Sequence, residues 1–77
     1  MDLRDTFASN LRRLRNAKGL SQDELAYHAD VSRSYLSQIE KGSFNVSLKI
    51  IGKLAGTLGV EPEEFLRRRM KRAVPPK

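Results

Sequence analysis

The segment SQDELAYHADVSRSYLSQIEKG, residues 21–42, constrains the fold most, because it predicts two short helices joined by a tight turn. Ser21 and Glu24 have the spacing of a capping box, in which each side chain satisfies the other residue's free backbone N–H group. The first of the two helices is therefore expected to begin here and to end near Ala29.

The turn between these helices contains Asp30, a residue type that adopts the left-handed backbone more readily than most. Ser32 can cap the second helix and Gly42 can end it, since glycine is favoured just past a helix C-terminus. Leu36 and Ile39 form an apolar seam on this helix. A helix-turn-helix consists of a short helix, a tight turn and a second short helix, and this second helix enters the major groove of DNA.

The outward face of the second helix is polar and consists mostly of short side chains. With Leu36 and Ile39 buried, a rotation of about 100° per residue turns four polar side chains to the opposite side. These are Ser34, Ser37, Gln38 and Lys41. Gln can form two parallel hydrogen bonds with adenine, Arg33 can do the same with guanine, and Ser can bond a base edge or a phosphate. A solvated face is the simpler reading of an isolated helix, so the base-reading interpretation depends on the preceding helix and turn.

The rest of the chain predicts three further helices and no strand. The spacing of Phe7, Leu11 and Leu14 indicates a helix from about Asp5 to Lys18.

Two more helices are expected toward the C-terminus. Ser47 can cap a fourth helix that Gly59 ends. Pro62 is favoured in a first helical turn and opens a fifth, on which Phe65 is expected to be a core residue. The fold class is therefore all-α, a compact five-helix bundle.

The positive charge is concentrated at the C-terminal end of the chain. The net charge is +6, yet residues 1–66 hold all nine acidic residues and only nine of the fifteen basic ones, so that part is formally neutral. The excess lies in residues 67–77, and a basic end is often simply solvated, so charge alone is weak evidence for nucleic acid. We expect a helix-turn-helix domain at 1–70 and a basic, proline-containing tail at 71–77.

The composition excludes several kinds of site. Cysteine is absent and His28 is the only histidine, which excludes disulfides, thiolate metal sites and a multi-histidine metal site. Serines and Asp30 lie near His28, but no other feature of a catalytic triad is visible, so we expect no enzyme activity and no cofactor. Neither a signal peptide nor an apolar run of roughly 18–20 residues is present, which favours a soluble, cytoplasmic protein.

The strings GLSQDELA, VSRSYLSQIEKG and LAGTLGV, at these spacings, resemble the phage-repressor-like (Cro/C1, or XRE) helix-turn-helix family over about residues 8–66. The resemblance implies a bundle of the lambda-repressor-like DNA-binding type, with helices 2 and 3 forming the helix-turn-helix. It also implies a transcriptional regulator that binds a near-palindromic operator as a homodimer, with the helix at 32–41 in the major groove. Asp30 stands where the family often has glycine, and Asp can adopt that backbone.

The resemblance also implies roles for individual residues. The residues expected to read bases are Arg33, Ser34, Tyr35, Ser37 and Gln38. The residues expected to hold phosphates are Gln22, Ser32, Lys41, Ser43 and Asn45. Arg15 and Glu40 match a pair that forms a partly buried salt bridge between helices 1 and 3 in relatives, a structural role.

The expected partners are double-stranded DNA at the nucleoid of a prokaryote or phage host, and a second copy of the chain. Val60 and Met70 are candidate dimer contacts, although an intramolecular core is the simpler role for Met70. Small proteins of this pattern resemble controller proteins of restriction–modification operons, and also phage or plasmid repressors. They resemble antitoxins too, which leaves open an alternative in which the chain binds a toxin, a second protein partner, as well as DNA.

Overall fold

The structure is a computed structural model that describes residues 2–43 and 45–68. Within these residues, four α-helices are followed by one 3₁₀ helix. They are α1 (Leu3–Ala17), α2 (Gln22–Ala29), α3 (Arg33–Glu40), α4 (Leu48–Leu58) and the 3₁₀ helix Pro62–Leu66. Helix α1 packs on α3 and on the 3₁₀ helix, while α2 packs on α3 and α4. The all-α prediction is confirmed for the described residues, and none of their helices is long and apolar enough to cross a membrane.

The prediction of five α-helices is wrong in its last member, which is a short 3₁₀ helix. Pro62 lies in its first turn as expected, and Phe65 is completely buried. Arg67 has an extended backbone, with φ −70° and ψ 126°, which ends the helix. The side-chain Nδ2 of Asn10 donates to the carbonyl oxygens of Phe65 and Arg67, each at 2.8 Å. These bonds satisfy carbonyl groups that a continuing α-helix would otherwise have to pair.

Side-chain caps fix the starts of the four α-helices. Asp2 accepts a backbone N–H at 2.9 Å, so α1 begins at Leu3, two residues before the predicted start. The three predicted serine caps are confirmed, because each hydroxyl oxygen accepts a backbone N–H at 3.0 to 3.2 Å. They are Ser21 for α2, Ser32 for α3 and Ser47 for α4.

The predicted turn between α2 and α3 also forms. Asp30 has φ 59° and ψ 48°, and within residues 2–43 and 45–68 it is the only non-glycine residue with a positive φ. The capping box at the start of α2 is complete, since Glu24 Oε1 accepts the Ser21 backbone N–H at 2.8 Å. This hydrogen bond lowers the pKa of Glu24 below its ordinary value, and the side chain of Ser21 adds to the effect. Short-range interactions thus fix both ends of α2.

One hydrophobic core joins all five elements. Its completely buried side chains are Leu11, Leu25, Leu36, Leu54, Leu58 and Phe65. The rings of Phe7 and Phe65 pack in a tilted arrangement with centroids 4.8 Å apart, which fixes the 3₁₀ helix against α1. Full burial of such a side chain contributes about 1.5–3 kcal/mol. Since Leu36 and its neighbour Ile39 both lie in this core, the predicted seam is confirmed and the opposite side of α3 faces outward.

Candidate nucleic-acid interface

The outward side of α3 forms a shallow concavity of about 190 Å³. It is lined by Arg33, Ser34, Ser37 and Gln38. Arg33 and Ser34 are exposed, whereas Ser37 and Gln38 are half-buried. Because two of the four side chains are serines, another surface can come close to the backbone of α3. The fold therefore brings together four of the five residues expected to read bases.

Tyr35, the fifth of these residues, is placed differently. Its side chain is half-buried and packs partly against the hydrophobic core. It is not among the residues that line the concavity. A contact between Tyr35 and DNA stays a prediction.

Four of the five residues expected to hold phosphates lie at the ends of α3 and in the following loop. The hydroxyl oxygen of Ser32 caps the helix, which leaves the hydroxyl hydrogen as a donor. Lys41 is exposed at the other end, and Ser43 donates its backbone N–H to the Gln38 carbonyl oxygen at 3.1 Å. Asn45 is exposed but lines a separate groove. Donors thus flank the concavity at both ends of the helix.

A partly buried hydrogen-bond network holds α3 from the inner side. Arg15 Nε lies 2.7 Å from Glu40 Oε2 and Arg15 Nη2 lies 3.1 Å from Glu40 Oε1, with side chains only 13% and 3% exposed. Arg12 donates to the carbonyl oxygen of Glu40, and Gln22 Nε2 donates to Glu40 Oε1 at 3.0 Å. Glu40 therefore ties α3 to both α1 and α2, in the salt-bridge geometry that the resemblance implied for Arg15.

Gln22 takes part in this network, which the sequence did not indicate. Its side-chain amide carries two N–H donors, and one of them is used by Glu40. Gln22 is the first residue of α2, where backbone N–H groups lack partners within the helix and attract anions. The phosphate contact expected of Gln22 stays a prediction, and the bond to Glu40 would orient its amide for that contact.

An exposed ion pair connects the starts of the two helices. Arg33 Nε lies 3.4 Å from Asp23 Oδ1, and the two side chains are 61% and 74% exposed. Asp23 was not foreseen as part of the site, because no helical spacing rule relates positions on two different helices. Only the crossing of α2 and α3 brings the carboxylate to the guanidinium.

These features define a helix-turn-helix DNA-binding module. A capped short helix is followed by a left-handed turn residue and by a second helix, which has a buried seam and a polar outward face. The helix-turn-helix family model HTH_3 matches residues 11–65, which is most of the chain. The chain belongs to this family, and the expected Cro/C1 (XRE) type is confirmed.

The relatives include regulators of similar size. Control protein C.BamHI of Bacillus amyloliquefaciens is 41% identical over 66 residues, which are 84% of this chain and 82% of that protein. The crystal structure of the restriction–modification controller protein C.AhdI from Aeromonas hydrophila has a TM-score of 0.78 and 48% identity, covering 80% of this chain and 94% of that one. The hypothetical transcription factor NHTF from Neisseria has a TM-score of 0.82 and 41% identity, covering 86% and 76%.

Proposed function

We propose that the chain is a sequence-specific transcriptional regulator that binds a near-palindromic operator as a homodimer, with α3 in the major groove. The observation that carries the proposal is the concavity on α3, where Arg33 and Gln38 lie together beside two serines. Arg and Gln are the side chains that distinguish guanine and adenine by paired hydrogen bonds in the major groove. The Arg15–Glu40 pair on the inner side keeps α3 in a fixed orientation while it does so.

The donors at the ends of α3 support a second, sequence-independent set of contacts. Lys41 is exposed and can hold a phosphate, while the Ser32 hydroxyl can donate to another. Contacts of this kind position a protein on the duplex and carry no sequence information directly. Binding would thus combine base contacts at the centre of α3 with phosphate contacts at its ends.

An apolar groove supports the homodimer. It measures about 220 Å³ and lies between α1 and α4, with Leu3, Phe7, Val46, Ile51 and Leu66 among its lining residues. Leu3 and Leu66 are 55% and 44% exposed, so a second copy of the chain would bury apolar area that water now contacts. Val60, proposed earlier as a dimer contact, is half-buried against the core, and Met70 and the tail at 71–77 lie outside the described residues.

The dimer surface can be tested by adding a charge to the groove. Leu66→Glu is expected to shift the protein toward the monomer in analytical ultracentrifugation, because a carboxylate would have to be buried in the interface. Tyr27→Glu is the matched control, since Tyr27 is 81% exposed on α2 and does not line the groove. A Leu66→Glu protein as dimeric as the control would contradict this interface.

Sequence-specific binding is tested by selecting bound duplexes from random DNA. Two half-sites of nearly two-fold symmetry, with centres about 10 bp or 34 Å apart, are expected. Enrichment of a single unpaired half-site would contradict binding as a dimer, and no enrichment would contradict sequence-specific binding.

A further inference from the structure

We propose that Asp23 is a specificity-determining residue, because its carboxylate holds Arg33 and keeps that side chain from binding phosphates of any sequence. The inference rests on the proposed DNA-binding function. It concerns the ratio between operator binding and random-DNA binding, and it assigns no base contact to Asp23 itself.

The first turn of α2 contains two acidic residues that differ in what their carboxylates do. Glu24 completes the capping box, since its carboxylate accepts the Ser21 backbone N–H at 2.8 Å. Asp23 instead reaches across to α3, where its Oδ1 lies 3.4 Å from Arg33 Nε. The role of the Glu24 carboxylate is therefore to cap α2. The Asp23 carboxylate differs, because it contacts Arg33, a residue expected to read a base.

The position of this carboxylate is unfavourable for DNA binding in general. Asp23 follows Gln22, the residue expected to hold a phosphate, and is 74% exposed. A phosphate that approaches the start of α2 therefore meets a like charge. This repulsion acts on every sequence, whereas only the operator can offset it with base contacts.

The pairing also selects how Arg33 can bind. With Nε beside the carboxylate, the two terminal nitrogens remain as donors for the edge of a guanine. Without the carboxylate, the long side chain can turn to a phosphate and add one contact of the kind that releases a counterion from any duplex. Exposed ion pairs are weak, so the expected effect on affinity is only about two- to fivefold.

The test compares operator and random duplexes for Asp23→Asn across a series of salt concentrations. Affinity for random DNA is expected to rise about two- to fivefold, and the slope of log affinity against log salt to steepen by about 0.9. Operator affinity should rise less, so that discrimination falls. Glu61→Gln removes the same charge from an exposed residue that makes no side-chain cap bond, and it should leave discrimination unchanged.

A second background shows whether Asp23 acts through Arg33. In Arg33→Ala protein, Asp23→Asn is expected to steepen the salt slope less than it does in the wild type, because only the repulsion of phosphate is removed and no guanidinium is released there. An equal steepening in that background would overturn the inference.

The remaining outcomes separate this inference from the proposed function. An acid in the first turn also stabilises a helix through its dipole. Suppose that the wild type prefers the operator, and that Asp23→Asn lowers thermal stability but keeps the same ratio of operator affinity to random-DNA affinity. Asp23 then has that structural role only, and the inference is wrong. Wild-type protein that binds all sequences equally would overturn the proposed function itself.

Discussion

The inner and outer sides of α3 differ in what their polar groups are bonded to. On the inner side, Glu40 is 3% exposed and its side-chain oxygens accept hydrogen bonds from Arg15 and Gln22. On the outer side, Arg33 is 61% exposed and its ion pair with Asp23 is open to water. A substitution on the inner side should therefore lower the free energy of unfolding, and one on the outer side should change DNA binding without unfolding the protein.

The largest effect is expected from Glu40→Ala. Removing the carboxylate leaves the guanidinium of Arg15 partly buried without its counter-charge, which should lower the free energy of unfolding by about 3–5 kcal/mol in urea denaturation. The control is Asp30→Asn, which removes the wider Asp30–Lys53 pair at 3.8 Å, where Asp30 is 97% exposed. That change should cost less than about 1 kcal/mol. Equal losses in the two proteins would contradict the contrast between buried and exposed pairs.

Lys41→Ala should weaken DNA binding and leave stability unchanged. Loss of one phosphate contact is expected to cost roughly 1.5 kcal/mol on every sequence and to reduce the salt slope by about 1. Lys49→Ala is a matched control, because Lys49 is an exposed lysine on α4 with no expected DNA contact. Fluorescence anisotropy titrations at several salt concentrations measure the affinity and the salt slope of the two variants. A loss confined to the operator would show that Lys41 reads bases instead.

Ser32→Ala tests a residue at the boundary between the two sides. Loss of its cap should lower the free energy of unfolding by about 1 kcal/mol, and loss of its hydroxyl donor should also weaken DNA binding. Ser47→Ala removes the equivalent cap from α4, so it should cost similar stability with no direct effect on DNA contacts. If the two variants bind DNA equally well, the phosphate role of Ser32 is wrong.

The smallest effect is expected from Glu24→Gln, and it depends on pH. The Ser21 backbone N–H lowers the pKa of Glu24 in the folded state, so its carboxylate stabilises the fold above the unfolded-state pKa. That stabilisation is lost as the pH falls from the ordinary pKa of a glutamate through the lowered pKa of Glu24. The difference in melting temperature between wild type and Glu24→Gln should thus be larger at pH 7 than at pH 3. A difference that does not change with pH would contradict the capping-box bond.

The features that could be predicted from the sequence depend on neighbouring residues. The Ser32 cap, the left-handed Asp30 and the Leu36–Ile39 seam each follow from short-range spacing or from the backbone preference of one residue type. The outward concavity follows in turn, because the seam fixes which side of α3 faces away from the core.

The features that could not be predicted depend on how separate elements pack. The Gln22–Glu40 bond joins residues 18 apart, and the bond from Asn10 to Phe65 joins residues 55 apart. No periodicity in the chain encodes such contacts. The last helix was predicted incorrectly for a related reason, since a proline in the first turn suits α and 3₁₀ helices equally, and the Asn10 bonds form only in the packed structure.

The most direct test of base reading by α3 is the affinity of Gln38→Ala for the operator, for operators changed at single positions and for random DNA. We expect a loss of roughly 1–3 kcal/mol on the operator, a relaxed preference at one position in each half-site, and little change on random DNA. Its free energy of unfolding should stay close to that of the wild type, since Gln38 lies on the outer side. Equal losses on operator and random DNA would contradict the account, because they would make Gln38 a general contact.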